Sequence, residues 1–177
     1  MTLWVFIGLA GTAALLYLLF RFGRVWYRAR GARVVTCPET GAPAGVAIDA
    51  ARAAATSFLG IELRLKECAR WPERAGCGQE CLRQIESAPD GCLVRNLLAA
   101  WYEGKSCAGC GTPFGPVRGM VQMPAVRLPG GALSEWREVK PEDVPATLTE
   151  GQPVCFGCYI ATRFAREHPG MIVDRAR

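Results

Sequence analysis

The chain has 177 residues, nine of them cysteines, and a formal net charge of +5. This length allows one modest domain or two small ones. Five of the 21 basic residues are arginines between positions 21 and 33, and no acidic residue occurs before position 34, so 16 basic residues remain to match 16 acidic ones. The rest of the chain is therefore close to neutral, which argues against a nucleic-acid-binding domain, since such domains usually carry a basic face.

The first segment is a candidate membrane span. Residues 3–20 carry no charge and are mostly apolar, and with their neighbours they are long enough to cross ~30 Å of hydrocarbon as a helix. Trp4 lies near one end and Trp26 and Tyr27 near the other, where interfacial aromatic residues are expected. No basic stretch precedes the apolar run, which disfavours a cleaved signal peptide. We therefore expect an uncleaved transmembrane helix and a single-pass membrane protein.

The arginines after this segment predict its orientation. Basic residues collect on the cytoplasmic side of membrane spans, and here they follow the span rather than precede it. The N-terminus is therefore expected outside and the C-terminal domain in the cytoplasm. A reducing compartment disfavours structural disulfides, so clustered cysteines there indicate metal ligands or redox groups.

Apolar and polar residues alternate with the periods of short strands and helices, which predicts an α+β fold. In the first half we expect a β-hairpin over residues 33–48, a helix over 50–58, a strand over 61–66, and helices over 78–87 and 92–103. In the second half we expect strands over 117–123, around 126–128 and over 133–139, a turn at 129–131, a loop over 141–153 and a helix over 155–167.

These elements are expected to form small metal-stabilised domains behind the membrane segment. The expected organisation is a transmembrane helix over residues 1–22, a basic juxtamembrane linker over 23–33, a cysteine-containing hairpin-plus-helix domain over 34–104, a four-cysteine metal domain over 105–170, and a tail over 171–177.

Two CxxC pairs in the second half predict a metal site. Cys107 and Cys110 lie in CAGCG, and Cys155 and Cys158 lie in CFGCY. Each such turn can present two sulfurs to one ion, and tetrahedral Zn²⁺ takes four thiolates at about 2.3 Å. We therefore expect one Zn²⁺ bound by these four cysteines.

Residues 105–168 resemble zinc-ribbon and treble-clef modules, and the two CxxC pairs carry the resemblance. In a treble clef the first knuckle is followed by a hairpin, and the second pair begins a helix. The resemblance implies a structural zinc site. The long insert between the pairs leaves ribbon and treble clef as alternatives.

The five remaining cysteines allow a second site. Cys77 and Cys81 are four residues apart and would share one face of a helical turn. Cys37 and Cys68 each end a predicted strand, and both thiols would emerge at one sheet edge if those strands were parallel neighbours. The expected second site is Cys37, Cys68, Cys77 and Cys81, and the alternative is Cys68, Cys77, Cys81 and Cys92.

The sequence leaves three interpretations of this second set of cysteines. The cysteines can bind a second Zn²⁺, they can ligate an iron–sulfur cluster, or they can be buried thiols with no metal. Trp71, between two of these cysteines, is expected to cover the site or to pack on Arg74, and the alternative is a contact with a partner.

The sequence predicts no catalytic residues. His168 is the only histidine, at the expected end of the last helix, and no paired carboxylates are arranged for acid–base catalysis. The expected function is therefore non-enzymatic: a membrane-anchored zinc scaffold, or accessory subunit, that docks on a partner protein or membrane complex. The alternatives are an iron–sulfur electron-transfer protein with its cluster in residues 37–92, and a thiol redox or metal sensor.

Overall fold

The computed structural model describes residues 2–71, 73–74, 76–117 and 124–171. The chain divides into two compact units, Met1–Pro89 and Asp90–Arg177. The first unit contains α1 (Thr2–Ala29), β1 (Ala32–Thr36), β2 (Pro43–Ile48), α2 (Ala50–Thr56), β3 (Leu65–Cys68) and α3 (Leu82–Ser87). The second contains α4 (Val94–Tyr102), β4 (Ala125–Arg127), β5 (Leu133–Ser134), α5 (Val144–Glu150), β6 (Gln152–Val154) and α6 (Phe156–Glu167), with 3-10 turns at Pro141–Asp143 and Pro169–Met171. Mixed helix and sheet agree with the expected fold class.

Helix α1 is one continuous element that is long and apolar enough to cross a membrane, judged by length and composition. The last turn of α1 is capped by the buried Arg33, whose guanidinium donates to the carbonyl oxygens of Ala29 at 2.7 Å and Arg28 at 2.8 Å. A cation is favoured at this end of a helix because the last carbonyls lack helical partners. The cap therefore fixes the end of α1 to the first strand of unit 1.

The first sheet has the order β1-β2-β3, with both contacts antiparallel. The predicted hairpin is therefore confirmed, with Gly41 at φ +67° in its turn. The strands that precede Cys37 and Cys68 are not neighbours, because β2 lies between β1 and β3. The two outer strands nevertheless run in the same direction, so Cys37 and Cys68 both lie at the carboxyl end of their strands, at one edge of the sheet.

Two predicted elements of unit 1 are shorter than expected. The strand expected over 61–66 is formed only from Leu65 to Cys68, because its partner β2 ends at Ile48 and the chain turns into α2 there. Helix α2 begins as predicted, with the Asp49 carboxylate accepting from the Arg52 amide at 3.0 Å, but ends at Thr56.

The helix expected over 78–87 is also wrong at its start. Gln79 adopts the left-handed conformation at φ +55°, and its side-chain Oε1 accepts from the Leu65 amide at 3.0 Å. Helix α3 therefore begins only at Leu82, with Cys81 as its N-cap residue. Cys77 and Cys81 consequently do not share a helical face.

The second sheet has the order β5-β4-β6, and both pairs are antiparallel. Its core is aromatic. The fully buried Tyr102 donates its hydroxyl to the Ala125 carbonyl at 2.7 Å and accepts from the Trp136 indole N–H at 2.8 Å. Burial raises the pKa of this phenol well above its usual value. Because both polar groups are paired, the cluster tolerates burial and links α4 to the sheet.

Unit 2 has the expected helices but differs from the expectation in its loop and strands. The helices expected over 92–103 and 155–167 are confirmed as α4 and α6, and the turn at 129–131 is confirmed by left-handed Gly130 and Gly131. The loop expected over 141–153 is wrong, since this segment forms a 3-10 turn, α5 and β6. The strand expected over 133–139 is reduced to Leu133–Ser134. Most of the strand expected over 117–123 falls outside the described residues.

Candidate metal centre

The first CxxC pair lies on a tight turn after α4. The Cys107 amide donates to the Thr112 carbonyl at 2.9 Å, and the Gly111 amide donates to the Cys107 carbonyl at 2.8 Å. Gly111 has φ +74°, a conformation that glycine adopts without the steric cost of a Cβ. This turn directs the chain back on itself and places Cys107 and Cys110 beside each other.

The second pair lies where β6 passes into α6. Cys155 is the N-cap residue of α6, and its Sγ accepts from the Cys158 amide at 3.3 Å. The amide of Ala108 donates to the carbonyl of Pro153 at 2.8 Å, which joins the first turn to β6. The N-terminus of α6 also favours negative charge in its neighbourhood.

The four sulfurs of these pairs converge. All four Sγ atoms of Cys107, Cys110, Cys155 and Cys158 lie within 4.8 Å of one another, and the Cys110 and Cys155 sulfurs are 3.8 Å apart. A tetrahedron with Zn–S bonds of 2.3 Å has an edge of about 3.8 Å. The predicted quartet is therefore assembled closely enough that one metal ion could be held between its sulfurs.

Backbone amides stabilise negative charge at this centre. The Cys107 sulfur accepts from the amides of Gly109 at 3.3 Å and Cys155 at 3.2 Å. Burial opposes ionisation of Cys107, but amide hydrogen bonds, including one from Cys110, outweigh it and lower the pKa of this thiol to about 6. A thiolate at Cys107 is therefore available near neutral pH.

The other thiols of the quartet differ from Cys107. A hydrogen bond to the Thr112 hydroxyl, 3.2 Å away, lowers the pKa of Cys110, whereas hydrogen bonds with Cys155 and Cys110 raise the pKa of Cys158. Four like charges cannot all be accommodated so close together without a cation. A cation that binds here therefore displaces the remaining protons.

The quartet lies against the core of unit 2. Cys107 is buried with Ala125, Val154 and Tyr159, and Cys155 and Cys158 pack against this cluster. Cys110 is exposed, and it marks the solvent side of the centre. A metal ion bound here would consequently be coupled to the packing of the sheet and α6.

Gly109 and Thr112 support the centre, and the contribution of the Thr112 hydroxyl was not predicted from the sequence. A Cβ at Gly109 would lie 3.0 Å from the Cys158 Sγ, so a side chain at this position of the CxxC turn would force the Cys158 sulfur to move by a few tenths of an ångström. The glycine inside CAGCG was the available signal, since a glycine between two ligands permits close approach of the other pair.

The four cysteines expected in the second site meet around one cavity of unit 1. Cys37 follows β1, Cys68 ends β3, Cys77 lies in the following loop and Cys81 caps α3. Together they line a cavity of about 170 Å³. Among the residues that the structure describes, the four sulfurs of the Cys107 quartet lie within 4.8 Å of one another, whereas the sulfurs of these four cysteines do not.

The cavity has a defined frame. The Gln84 side chain on α3 accepts from the Thr36 amide at 2.9 Å and donates to the Thr36 carbonyl at 2.6 Å, which holds Cys81 near the end of β1. Burial, and then the neighbouring thiols of Cys68, Cys77 and Cys37, raise the pKa of Cys81. A hydrogen bond with the Thr40 hydroxyl lowers the pKa of Cys37.

Cys92 and His168 stand apart from both sets. Cys92 belongs to unit 2 and does not line the cavity of unit 1, so the alternative set containing Cys92 is not the one that surrounds this cavity. His168 is the C-cap residue of α6, as expected, and its ring lies 4.7 Å from that of Phe164.

No family model, no curated protein and no solved structure matches the chain.

Proposed function

We propose that the chain is a membrane-anchored zinc scaffold whose second unit docks on a partner protein as an accessory subunit. The convergence of the Cys107, Cys110, Cys155 and Cys158 sulfurs within 4.8 Å carries the proposal. Four thiolates fill the tetrahedral coordination of Zn²⁺ and leave no position for a substrate. Such a closed centre stabilises a fold and supports binding rather than catalysis.

The order of elements around the quartet supports a treble-clef-like module. The first turn is followed by the antiparallel β4–β5 hairpin, and the second pair begins α6. The zinc would thus join a turn, a sheet and a helix that share a small core. Small units commonly need such a ligand, because their own core is too small to offset the conformational entropy lost on folding.

Anchoring through α1 is supported by the surface of that helix. Its apolar side chains are exposed from Trp4 to Phe22, including Leu15 at 56% and Leu16 at 61%. An exposed apolar surface of this size on a water-soluble protein is unfavourable unless something covers it. A lipid bilayer covers such a helix on all sides.

A loop of unit 1 lies where the bilayer surface would be. Arg21 ends the uncharged run, and its guanidinium donates to the Ser57 carbonyl at 2.7 Å and lies 5.3 Å from the Phe58 ring centroid. The neighbouring Leu59 is 98% exposed and Ile61 is 56% exposed. In the proposed orientation, N-terminus outside, this apolar loop rests on the cytoplasmic membrane surface beside the arginines.

Membrane anchoring is tested by alkaline carbonate extraction of cells that express the full chain. The wild type is expected in the membrane pellet, and the double variant Leu15→Arg, Leu16→Arg is expected in the soluble fraction, since an arginine at the helix centre costs about 2.5–3.5 kcal/mol. Leu59→Arg is the matched control and should stay in the pellet. Release of the wild type by carbonate would contradict anchoring.

A stripe on α6 supplies the docking surface. Phe156, Ile160 and Phe164 recur at every fourth position and therefore lie along one side of the helix, and each is between 42% and 48% exposed. The same helix carries Cys158 and is capped by Cys155, so the stripe is held by the zinc centre. An apolar surface on a partner protein is the occupant that fits it.

Docking is tested by chemical cross-linking in native membranes, followed by purification of the cross-linked chain. We expect a discrete cross-linked partner with the wild type, its loss with Ile160→Asp combined with Phe164→Asp, and its retention with Thr162→Asp, which places one negative charge at an exposed position of α6 outside the stripe. Zinc content should be equal in all three proteins. An unchanged cross-linked product in the double variant would exclude this surface.

A further inference from the structure

The cavity of unit 1 combines four thiols with hydrogen-bond donors that have no acceptor. The indole N–H of Trp71 and the Nε–H of Arg70 are both buried, and neither has a hydrogen-bond partner among the residues that the structure describes. Both side chains line the same cavity as Cys37, Cys68, Cys77 and Cys81. A buried donor without an acceptor is unfavourable, so this arrangement indicates an occupant that accepts hydrogen bonds.

The guanidinium groups at the cavity can offset the negative charge of a metal bound by thiolates. Arg70 and Arg74 line the cavity together with the four thiols; Glu80 also lines it, as does Glu39, which lies 3.5 Å from Arg74 in a partly exposed ion pair. A divalent ion bound by four thiolates carries a net charge of −2. Guanidinium and indole N–H groups are suitable partners for such sulfurs, and outer hydrogen bonds of this kind tune and retain thiolate-bound metals.

We propose that this cavity holds a second metal centre, bound by the thiolates of Cys37, Cys68, Cys77 and Cys81 and surrounded by the N–H groups of Arg70 and Trp71. This centre is independent of the Cys107 quartet and does not require membrane anchoring. Binding exchanges the thiol protons for the metal, and no electron is transferred. These four sulfurs do not all lie within 4.8 Å of one another, and the metal they bind is either the iron of an iron–sulfur cluster or a single Zn²⁺.

The test is elemental analysis of the full chain, purified anaerobically in detergent. The wild type should contain two centres: either two zinc ions, or one zinc together with iron, an equal amount of acid-labile sulfide and visible absorbance. The double variant Cys77→Ser, Cys81→Ser should lose one centre, Cys107→Ser with Cys110→Ser should lose the other, and Cys92→Ser should lose neither. Metal content unchanged by Cys77→Ser with Cys81→Ser would overturn the proposal.

A measurement on the wild type guards against misfolding of these variants. Alkylation with iodoacetamide, read peptide by peptide by mass spectrometry, should leave Cys37, Cys68, Cys77 and Cys81 protected until the metal is removed by a chelator. Rapid labelling of these four before chelation, or a disulfide between any two of them, would also overturn the proposal.

Trp71→Phe tests the proposed donor without touching a ligand. It keeps the ring and removes the N–H, so metal loss from this centre to a competing chelator should be about tenfold faster, as for other residues that hydrogen-bond to metal ligands. The zinc of the Cys107 quartet should leave at the wild-type rate. If Trp71→Phe lost metal from each centre at the wild-type rate, Trp71 would not be a donor to the centre.

Discussion

Cys155→Ser is expected to remove one zinc ion per chain and to unfold unit 2. Serine is a good N-cap residue, so the start of α6 keeps its cap and the variant removes only the metal ligand. Structural zinc contributes about 10 kcal/mol or more of apparent binding free energy in small zinc peptides, whereas domains are stable by only about 5–15 kcal/mol. Loss of the metal should therefore disrupt the fixed packing of Trp101, Tyr102 and Trp136.

Near-ultraviolet circular dichroism measures this effect, because these aromatic rings pack edge to face within 4.9–6.5 Å of one another. The signal should collapse in Cys155→Ser and in wild type treated with a zinc chelator. Cys92→Ser makes the same chemical change in the same unit, outside both quartets, and should retain the signal. A folded unit 2 in the zinc-free protein would mean that the metal is not structural.

Gly109→Ala is expected to weaken zinc binding at least about tenfold, or roughly 1.4 kcal/mol. The new Cβ would lie 3.0 Å from the Cys158 Sγ and 3.2 Å from the Cys158 Cβ. The sulfur must then move by some tenths of an ångström, but Zn–S bonds are fixed near 2.3 Å. Competition with a chromophoric zinc chelator measures the change.

Gly157→Ala is the matched control, since Gly157 occupies the equivalent position in the second CxxC pair. A Cβ there would meet only the Cys155 Sγ at 4.0 Å, an ordinary contact. Gly157 is within α6, where alanine is favoured over glycine by about 1 kcal/mol. Zinc affinity should therefore be unchanged and thermal stability equal or higher. Equal losses of affinity in both variants would show that crowding at Cys158 is not the cause.

The C-terminal quartet could be predicted from the sequence because each CxxC spacing places two sulfurs on one turn. Between Cys110 and Cys155 lie 44 residues, yet the pairing of β4 with β6 helps to bring the two CxxC pairs together. The spacing within each pair indicated which cysteines are candidate ligands. Their convergence depends on the pairing of strands that are far apart in the sequence, which the spacing does not reveal. Zinc and iron both bind thiolates, so the cysteine spacing does not distinguish one metal from the other.

The errors of prediction have physical causes. In 141–153 the prolines suggested a loop, but Pro145 lies in the first turn of α5, where a missing N–H costs nothing. Gly151 follows the last turn, so proline at the start and glycine at the end were the signals of a helix. Residues 61–64 alternate like a strand, but β2 has already ended at Ile48 and offers them no partner.

The surroundings of the unit 1 cavity could be predicted only in part. The sequence indicated that Cys37 and Cys68 end strands, and the sheet places them at one edge. The left-handed backbone of Gln79 could not be anticipated, because it depends on the distant hydrogen bond from Leu65. The roles of the Arg70 and Trp71 N–H groups could not be predicted either, because they depend on the burial of these atoms in the folded chain.

X-ray absorption at the zinc edge of the purified full chain tests the central claim most directly. We predict at least one zinc per chain and a first coordination shell of four sulfurs at about 2.3 Å. Nitrogen or oxygen ligands in that shell, or a protein that binds no zinc, would contradict a closed four-thiolate centre at Cys107, Cys110, Cys155 and Cys158.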